Sequence, residues 1–376
     1  MSYPTISHVD DVLPHIQGRE EFVHAIREGY SVIDYNFARA DSFDDPVRLE
    51  CRGIKFAPDG RILARPLAKF FNVGERPDTQ PHQLDFDQPH VVMEKMDGSM
   101  IHPAFVEGRL RFMTRMGCTD HAAKAERHLT EDIREWCYAN PDLTPIFEWT
   151  APDNRIVVPY VDSKLTLLAV RELQSGHYLS RYDLEGVALQ LGVAAVPLHT
   201  AGADFLAHAR AVRGMEGFVV RFANGLWVKV KGEDYVLKHK AKESVLQEKN
   251  VLALVLRGEL DDVLPLLEPG DRQAVEAYRD SVLRGVFETS DHLDHVVRRS
   301  ADLSQKDFAT TAVPAMPGEF RSLAFKVRAG TPAREAVVAA VLKQCGSASG
   351  VQSVRCLFGT YFHFDNDNLQ PAKVAA

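Results

Sequence analysis

Lys95-Met96-Asp97-Gly98-Ser99 places a primary amine, a carboxylate and a glycine within five residues. A lysine amine attacks phosphorus only when unprotonated, and its ordinary pKa of about 10.4 leaves little free amine at neutral pH. Nearby cations, a metal ion or desolvation lower that value. Gly98 allows a backbone to approach a nucleotide closely, and Asp97 is placed to orient a ribose or a metal-bound water. The same five residues also describe an ordinary charged Asp-Gly turn. Three further segments supply what such an amine needs. Trp227-Val228-Lys229-Val230-Lys231 alternates, so a strand there puts Lys229 and Lys231 on one face and the valines on the other. Two adjacent lysines repel, which suits a polyanion such as a triphosphate, or else a solvated strand face. Glu216 opens a strand in Met215-Glu216-Gly217-Phe218, and Glu148 sits inside the apolar run Ile146-Phe147-Glu148-Trp149. Both are candidate ligands for a hydrated Mg²⁺, or plain strand carboxylates.

The elements that must position these groups can be read from spacing. Strands are expected at 90–95, 101–105, 110–114, 144–149, 156–158, 165–171, 217–222 and 226–230, and a hairpin turn at Ala57-Pro58-Asp59-Gly60. Helices are expected at 15–28, 120–140 and 181–191. Past Lys240 the apolar spacing turns helical, over 245–257, 260–267, 272–286, 291–303 and 333–343. The fold class is therefore α+β, with an antiparallel-sheet domain over 1–240 and an all-α domain over 241–376.

At 376 residues the chain is long for one hydrophobic core. It has no apolar run long enough to span a membrane and no secretory leader. Its five cysteines are odd in number and form no C-x-x-C pair, which points to a reducing cytoplasm rather than a disulfide framework or zinc site. The net charge of −8 is unlike a typical nucleic-acid binder. Between Arg210 and Lys242, however, eight cations face three acids (Glu216, Glu233, Asp234), so a local basic groove on an acidic body is allowed. Asp261-Asp262 reads as acids at a helix start, Asp291-His292 with Asp294-His295 as a polar helix face, and Phe362-His363-Phe364 as packing.

The four chemical segments follow one another in an order and at a spacing that resemble the covalent nucleotidyltransferase superfamily of DNA ligases, RNA ligases and capping enzymes. Upstream, Asp34-Tyr35-Asn36-Phe37-Ala38, Leu49-Glu50-Cys51-Arg52-Gly53-Ile54 and Arg65-Pro66-Leu67-Ala68-Lys69-Phe70-Phe71-Asn72 look like the bacteriophage-type RNA ligase 1 family. The resemblance covers nearly the whole chain. It implies an ATP-dependent RNA ligase that joins a 3′-hydroxyl to a 5′-phosphate through lysyl-AMP at Lys95. It implies an ATP site built from Arg52, Lys69, Phe71, Gly98, Glu148, Gly217, Lys229, Lys231 and Tyr235, with Leu168-Ala169-Val170-Arg171 as the strand against the adenine. Glu216, Lys229 and Lys231 would support catalysis, and Glu216, Glu148 and Asp97 would lie near Mg²⁺ or Mn²⁺. The resemblance adds Arg115 to the ATP site as a phosphate contact; the family tends to have a lysine there, and the planar fork of Arg115 is not equivalent to an ammonium. The implied partner is RNA, such as nicked tRNA recognised by the helical domain. With no G-x-x-x-x-G-K-[ST] loop in the chain, a separate kinase-phosphatase would prepare the ends. A DNA ligase or capping enzyme normally carries an OB-fold where this chain turns helical; a non-catalytic RNA-binding module is the remaining alternative.

Overall fold

The chain is described here by a computed structural model covering residues 3–202 and 204–362. Its strands are β1 Phe22–Arg27, β2 Tyr30–Tyr35, β3 Ile54–Phe56, β4 Ile62–Ala64, β5 Phe71–Asn72, β6 His90–Lys95, β7 Ser99–Val106, β8 Arg109–Met113, β9 Leu143–Thr150, β10 Lys164–Glu172, β11 Ala194–Ala195, β12 Leu198–His199, β13 Gly217–Phe222 and β14 Trp227–Lys231. They form three sheets, ordered β1-β2-β3-β4, β11-β10-β9-β7-β8 and β12-β6-β13-β14-β5. Chain contacts divide the molecule into Met1–Val236 and Leu237–Ala376. The first unit is antiparallel sheet with helices; the second is helical. The α+β class read from the sequence is the observed one.

Two-residue alternation explains how the second and third sheets frame a site. On β9, Phe147 and Trp149 enter a core shared with Ile133, Trp136 and Leu184 from the helices Glu131–Ala139 and Arg181–Gln190. Their neighbour Ile146 faces the other way, into a small cluster with Met93, Val219 and Trp227 of the third sheet. On β13 and β14, Phe218, Val220, Val228 and Val230 pack together on the far side of that sheet. The strand faces left between the two sheets carry Lys95, Glu148, Lys229 and Lys231, which line a common cavity.

The upstream elements are anchored by one buried carboxylate. Glu50, 3% exposed, receives Arg171 through Nη2–Oε1 and Nη1–Oε2 contacts of 2.7 Å each, and Arg65 through Nη2–Oε1 at 3.1 Å. Arg65 and Arg171 are both fully buried, and their remaining donors meet the carbonyls of Pro4, Pro66, Leu173 and Gln174. Arg52 and Lys69 follow Glu50 and Arg65 closely in the chain, so this node sets where they stand.

Several expected elements differ. Only Leu13–Ile16 is helical in 15–28. Gly18 takes φ 74°, and residues 22–27 instead pair with Tyr30–Tyr35 around Gly29. Long-range strand pairing wins over helical spacing there. The helix expected over 120–140 is broken into Asp120–Ala125 and Glu131–Ala139, the second capped by Thr130. No strand forms at 156–158, because the Val157 and Val158 amides turn inward to Asp97. The helices expected at 272–286 and 291–303 are one helix, Pro269–Arg299, whose Val275, Tyr278, Val282, Val286 and Leu293 make a continuous buried stripe. Residues 260–266 form two 3-10 turns. Asp261, Asp262, Asp291 and His292 are exposed, and among the described residues no three His, Cys, Asp or Glu side chains converge as a metal site. His363 and Phe364 lie outside the described residues. No described helix is long and apolar enough to cross a membrane.

Removing Glu50 would leave two guanidinium groups buried without a counter-charge. Glu50→Ala is expected to destabilise the fold by about 3–5 kcal/mol, read as a lowered midpoint of urea unfolding. An unchanged midpoint would show that the node is not structural.

Candidate active site

Lys95 ends β6, Gly217 opens β13 and Lys231 ends β14. The register places them in one row, with Gly217 opposite Lys95 on one side and opposite Lys231 on the other. Glu216, one residue before the strand, reaches across that row. Its Oε2 lies 2.6 Å from Lys95 Nζ and its Oε1 2.9 Å from Lys231 Nζ. The carboxylate is only 4% exposed, and the two amines offset the cost of burying it. Gly217 has no room for a side chain: a Cβ there would stand 2.1 Å from the Val230 carbonyl oxygen, and its φ of 141° is glycine territory.

The loop after Lys95 is equally constrained. A Cβ on Gly98 would fall 2.4 Å from the Trp149 carbonyl oxygen, so glycine lets the loop press against β9. The Gly98 amide then donates to Glu148 Oε1 at 3.0 Å. Asp97 has a different place from the one expected of a metal or ribose contact. It is 1% exposed; its Oδ2 accepts from the amides of Val157 and Val158 at 2.8 and 2.7 Å, and its Oδ1 accepts from Tyr235 Oη at 2.7 Å. With both oxygens taken, Asp97 fastens the lysine loop and is not available to a metal. Tyr235, expected among the nucleotide contacts, thus reaches the site through Asp97, with Lys231 Nζ 5.1 Å from its ring centre.

The cavity between the sheets measures about 250 Å³. One part of its wall is apolar, with Met93, Leu168, Val196, Val219 and Trp227. The other is cationic, with Arg52, Lys95, Lys229 and Lys231, and Glu148 lies beside Lys95. Leu168 joins this wall, whereas Val170 enters the helix-side core and Arg171 holds Glu50. Burial, reinforced by Lys69, Lys95 and Arg52, depresses the Lys229 amine to about 8. Burial likewise pushes the Glu148 carboxyl up to about 8, against the pull of Lys95 and with the push of Glu216. Such an enclosure, lined by apolar side chains, four cations and the acids Glu94 and Glu148, suits a nucleoside carrying phosphates.

Lys69 and Phe71 do not line this cavity. They line a neighbouring groove, where Lys69 Nζ sits 5.2–5.5 Å from the ring centres of Tyr35, Phe43 and Phe71. Arg115 stands apart from the cavity too. Its Nε is 3.0 Å from buried Asp34, and its guanidinium covers one of the three rings around Lys69, that of Tyr35, at 4.9 Å. Gly53 admits that turn, since a Cβ there would meet the Arg115 carbonyl oxygen at 2.4 Å. Sequence reasoning gave no role to Lys55, yet it is fully buried. Its Nζ donates to the Thr114 and Arg115 carbonyls at 2.7 and 3.1 Å and lies 2.8 Å from His102 Nε2. The available signal was a lone lysine between Ile54 and Phe56. Trp227 was likewise passed over, as the apolar start of the lysine strand.

The RNA ligase family model matches residues 50–246 of the chain. A Thermovibrio ammonificans protein provisionally named an RNA ligase is 31% identical over 280 residues, spanning 68% of this chain and 70% of that protein. RNA ligase 1 of bacteriophage TS2126 is 30% identical over 211 residues, spanning 51% of this chain and 52% of the phage protein. Among solved structures, an archaeal ATP-dependent RNA ligase is 18% identical with a TM-score of 0.45, spanning 89% of this chain and 79% of that one.

Two outcomes follow from this geometry. Gly98→Ala is expected to push the lysine loop off β9 and abolish nucleotide binding while leaving a folded protein by circular dichroism. Binding of a nucleoside triphosphate is expected to weaken as pH rises through about 8, because Lys229 loses its positive charge and Glu148 gains a negative one, both in the same direction. Titration calorimetry at pH 7 and pH 9 reads this, and Glu148→Gln should remove part of the dependence. Equal affinities at both pH values would contradict it.

Proposed function

Because the chain belongs to the RNA ligase family, we propose that it is an ATP-dependent enzyme that joins RNA 3′-hydroxyl and 5′-phosphate ends through lysyl-AMP at Lys95. The observation that carries this reading is the Lys95–Glu216–Lys231 bridge among the cations that line a nucleotide-sized cavity. In the first step Lys95 Nζ attacks the α-phosphorus of ATP. A P–N bond forms, the bond to the bridging oxygen breaks, and pyrophosphate leaves. Glu216 Oε2, at 2.6 Å, is the nearest acceptor for the amine proton. In the second step the RNA 5′-phosphate displaces Lys95, giving a 5′–5′ pyrophosphate. In the third the RNA 3′-oxygen attacks the activated phosphate, its proton passes to solvent, and AMP leaves. Each step is in-line displacement, so the protein chiefly contributes position and positive charge.

Lys229, Lys231 and Arg52 line the cavity with Lys95 and would answer the charge on the phosphates, and Met93, Leu168, Val196, Val219 and Trp227 would enclose the base. Glu216 lies close enough to Glu148 to help hold the Glu148 carboxyl up, and two such carboxylates are a donor set that would fit a Mg²⁺ or Mn²⁺ held largely through its waters and the nucleotide. Glu148 is the cavity-lining member, while Glu216 is already shared by two amines and Asp97 is fully occupied. Such an ion neutralises charge on the triphosphate. The substrate would be a broken RNA, with nicked tRNA suggested by the family resemblance alone, and its ends would be prepared by a separate kinase-phosphatase.

Incubation with α-labelled ATP tests the reading. Label should attach to the wild-type chain, be lost in Lys95→Ala, and move to a 5′-phosphorylated oligoribonucleotide. Lys229→Ala should slow label attachment by roughly 10²-fold, the scale of losing one preorganised charge partner. Label surviving in Lys95→Ala, or sealing confined to nicked duplex DNA, would overturn the assignment.

A further inference from the structure

Beside the nucleotide cavity lies a larger groove of about 390 Å³, within the range of small-ligand pockets, roughly 300–1,000 Å³. Phe70 and Trp227 line both spaces, so one aromatic wall separates them. The groove adds Tyr3, Phe43, Phe71 and Tyr178 to its lining. Its charges are unequal in their freedom. Glu50 is consumed by Arg65 and Arg171, and Arg76 is paired with Asp44. Lys69 has no carboxylate partner among the described residues; its neighbours are three rings and the Tyr35 hydroxyl at 3.4 Å. Asp78 also lines the groove, without an ion pair to Lys69. A cation among aromatic faces has the chemistry that recognises a single-stranded nucleic-acid end, with rings for the base and an ammonium for the phosphate.

The two spaces are joined by charge. Lys229 lines the nucleotide cavity, and its strand pairs with β5 so that Lys229 stands opposite Asn72, next to Phe71. Lys69, Lys95 and Arg52 are the cations that act on it most strongly. A line of positive charge therefore runs from Lys95 past Lys229 to Lys69 and into the groove. Stereochemistry says what travels along it. Pyrophosphate leaves the α-phosphorus opposite Lys95 in the first step. In the second, the RNA phosphate must enter opposite Lys95, because that displacement is also in line at the same phosphorus. A new P–O bond forms, the P–N bond breaks, and its electron pair returns to Lys95 Nζ, which takes a proton from solvent. Pyrophosphate and RNA 5′-phosphate thus occupy the same place in turn, and the nucleoside behind that phosphate needs a seat just beyond it.

We propose that the aromatic groove seats the 5′-terminal nucleoside of the RNA, stacked on the wall it shares with the nucleotide cavity, with its 5′-phosphate held by Lys69 and Lys229. This rests on the RNA ligase reading and extends it to a recognition site for the RNA 5′ end.

The test uses the full chain, charged with labelled AMP and freed of ATP. It is then given a 5′-phosphorylated oligoribonucleotide, or the same oligomer with an abasic 5′-terminal residue that keeps its phosphate. Stacking on one aromatic platform predicts about a tenfold loss of apparent affinity for the abasic end. Leu226→Glu adds a carboxylate to the groove at a half-buried hairpin position. It should weaken AMP transfer to the intact oligomer by a similar factor, retain lysyl-AMP formation, and make the abasic lesion cost little more. Equal transfer to intact and abasic 5′ ends by the wild-type chain overturns the proposal, as does a penalty seen only when the acceptor's 3′-terminal base is removed. No lysyl-AMP, or no transfer to any RNA, instead overturns the RNA ligase reading, and the groove assignment falls with it.

Discussion

Glu216 holds two ammonium groups within 2.6 and 2.9 Å of its oxygens, and much of the site's geometry answers to that bridge. Three charges at such separations are stable together only in alternation. A lone carboxylate so deeply enclosed would be protonated, and two lysines side by side would drive each other outward. The sheet solves the placement by register. Because Gly217 faces Lys95 and Lys231 at once, a carboxylate one residue earlier falls between the two amines without any special loop. The requirement for glycine at 217 then follows from the same row, since the backbone of β14 comes too close for a side chain.

The rest of the site is tied to that row at two points. Asp97 fixes the loop after Lys95 by accepting two backbone amides and the Tyr235 hydroxyl, so the strand that ends in Lys95 is held against its surroundings. Glu50 fixes the upstream segment by gripping Arg65 and Arg171, which brings Arg52 to the cavity and Lys69 to the groove. Both are carboxylates whose acceptor capacity is spent inside the fold. The acids lining the cavity are then Glu94 and Glu148, with Glu216 beside Lys95 and Lys231, and the lining cations Arg52, Lys95, Lys229 and Lys231 outnumber the lining acids despite a net charge of −8.

What the sequence disclosed was governed by period. Alternation in Trp227-Val228-Lys229-Val230-Lys231 suffices to place two lysines on one face, and β14 has that arrangement. β6, His90–Lys95, likewise spans the residues expected of it, one residue before the apolar run Val91-Val92-Met93 to two after it. What stayed hidden depends on partners far along the chain. Asp97 resembles a metal or ribose contact until Val157, Val158 and Tyr235 are brought to it. Lys55 resembles a solvent-facing strand residue until β7 and the turn at 114–117 cover it, where burial depresses its amine to about 7. The segment 15–28 has helical spacing, but six residues of it find a strand partner immediately after a turn. Lys69 belongs to the same upstream motif as Phe70, which lines both spaces, yet Lys69 itself lines only the neighbouring groove.

The shared wall gives the molecule an optical property. Of the chain's three tryptophans, Trp136 and Trp149 are sealed in the helix-side core, with their indole nitrogens bonded to Gln190 and Ser163. Trp227 stands between the two spaces, and its indole nitrogen has no hydrogen-bond partner among the described residues. Indole emission responds to the polarity and charge of its surroundings, so two of the three fluorophores supply a steady background and the third changes its signal when either neighbour space fills. The chain carries an intrinsic reporter of occupancy at the junction where its two substrates would meet, and no label need be attached to follow the order in which they arrive.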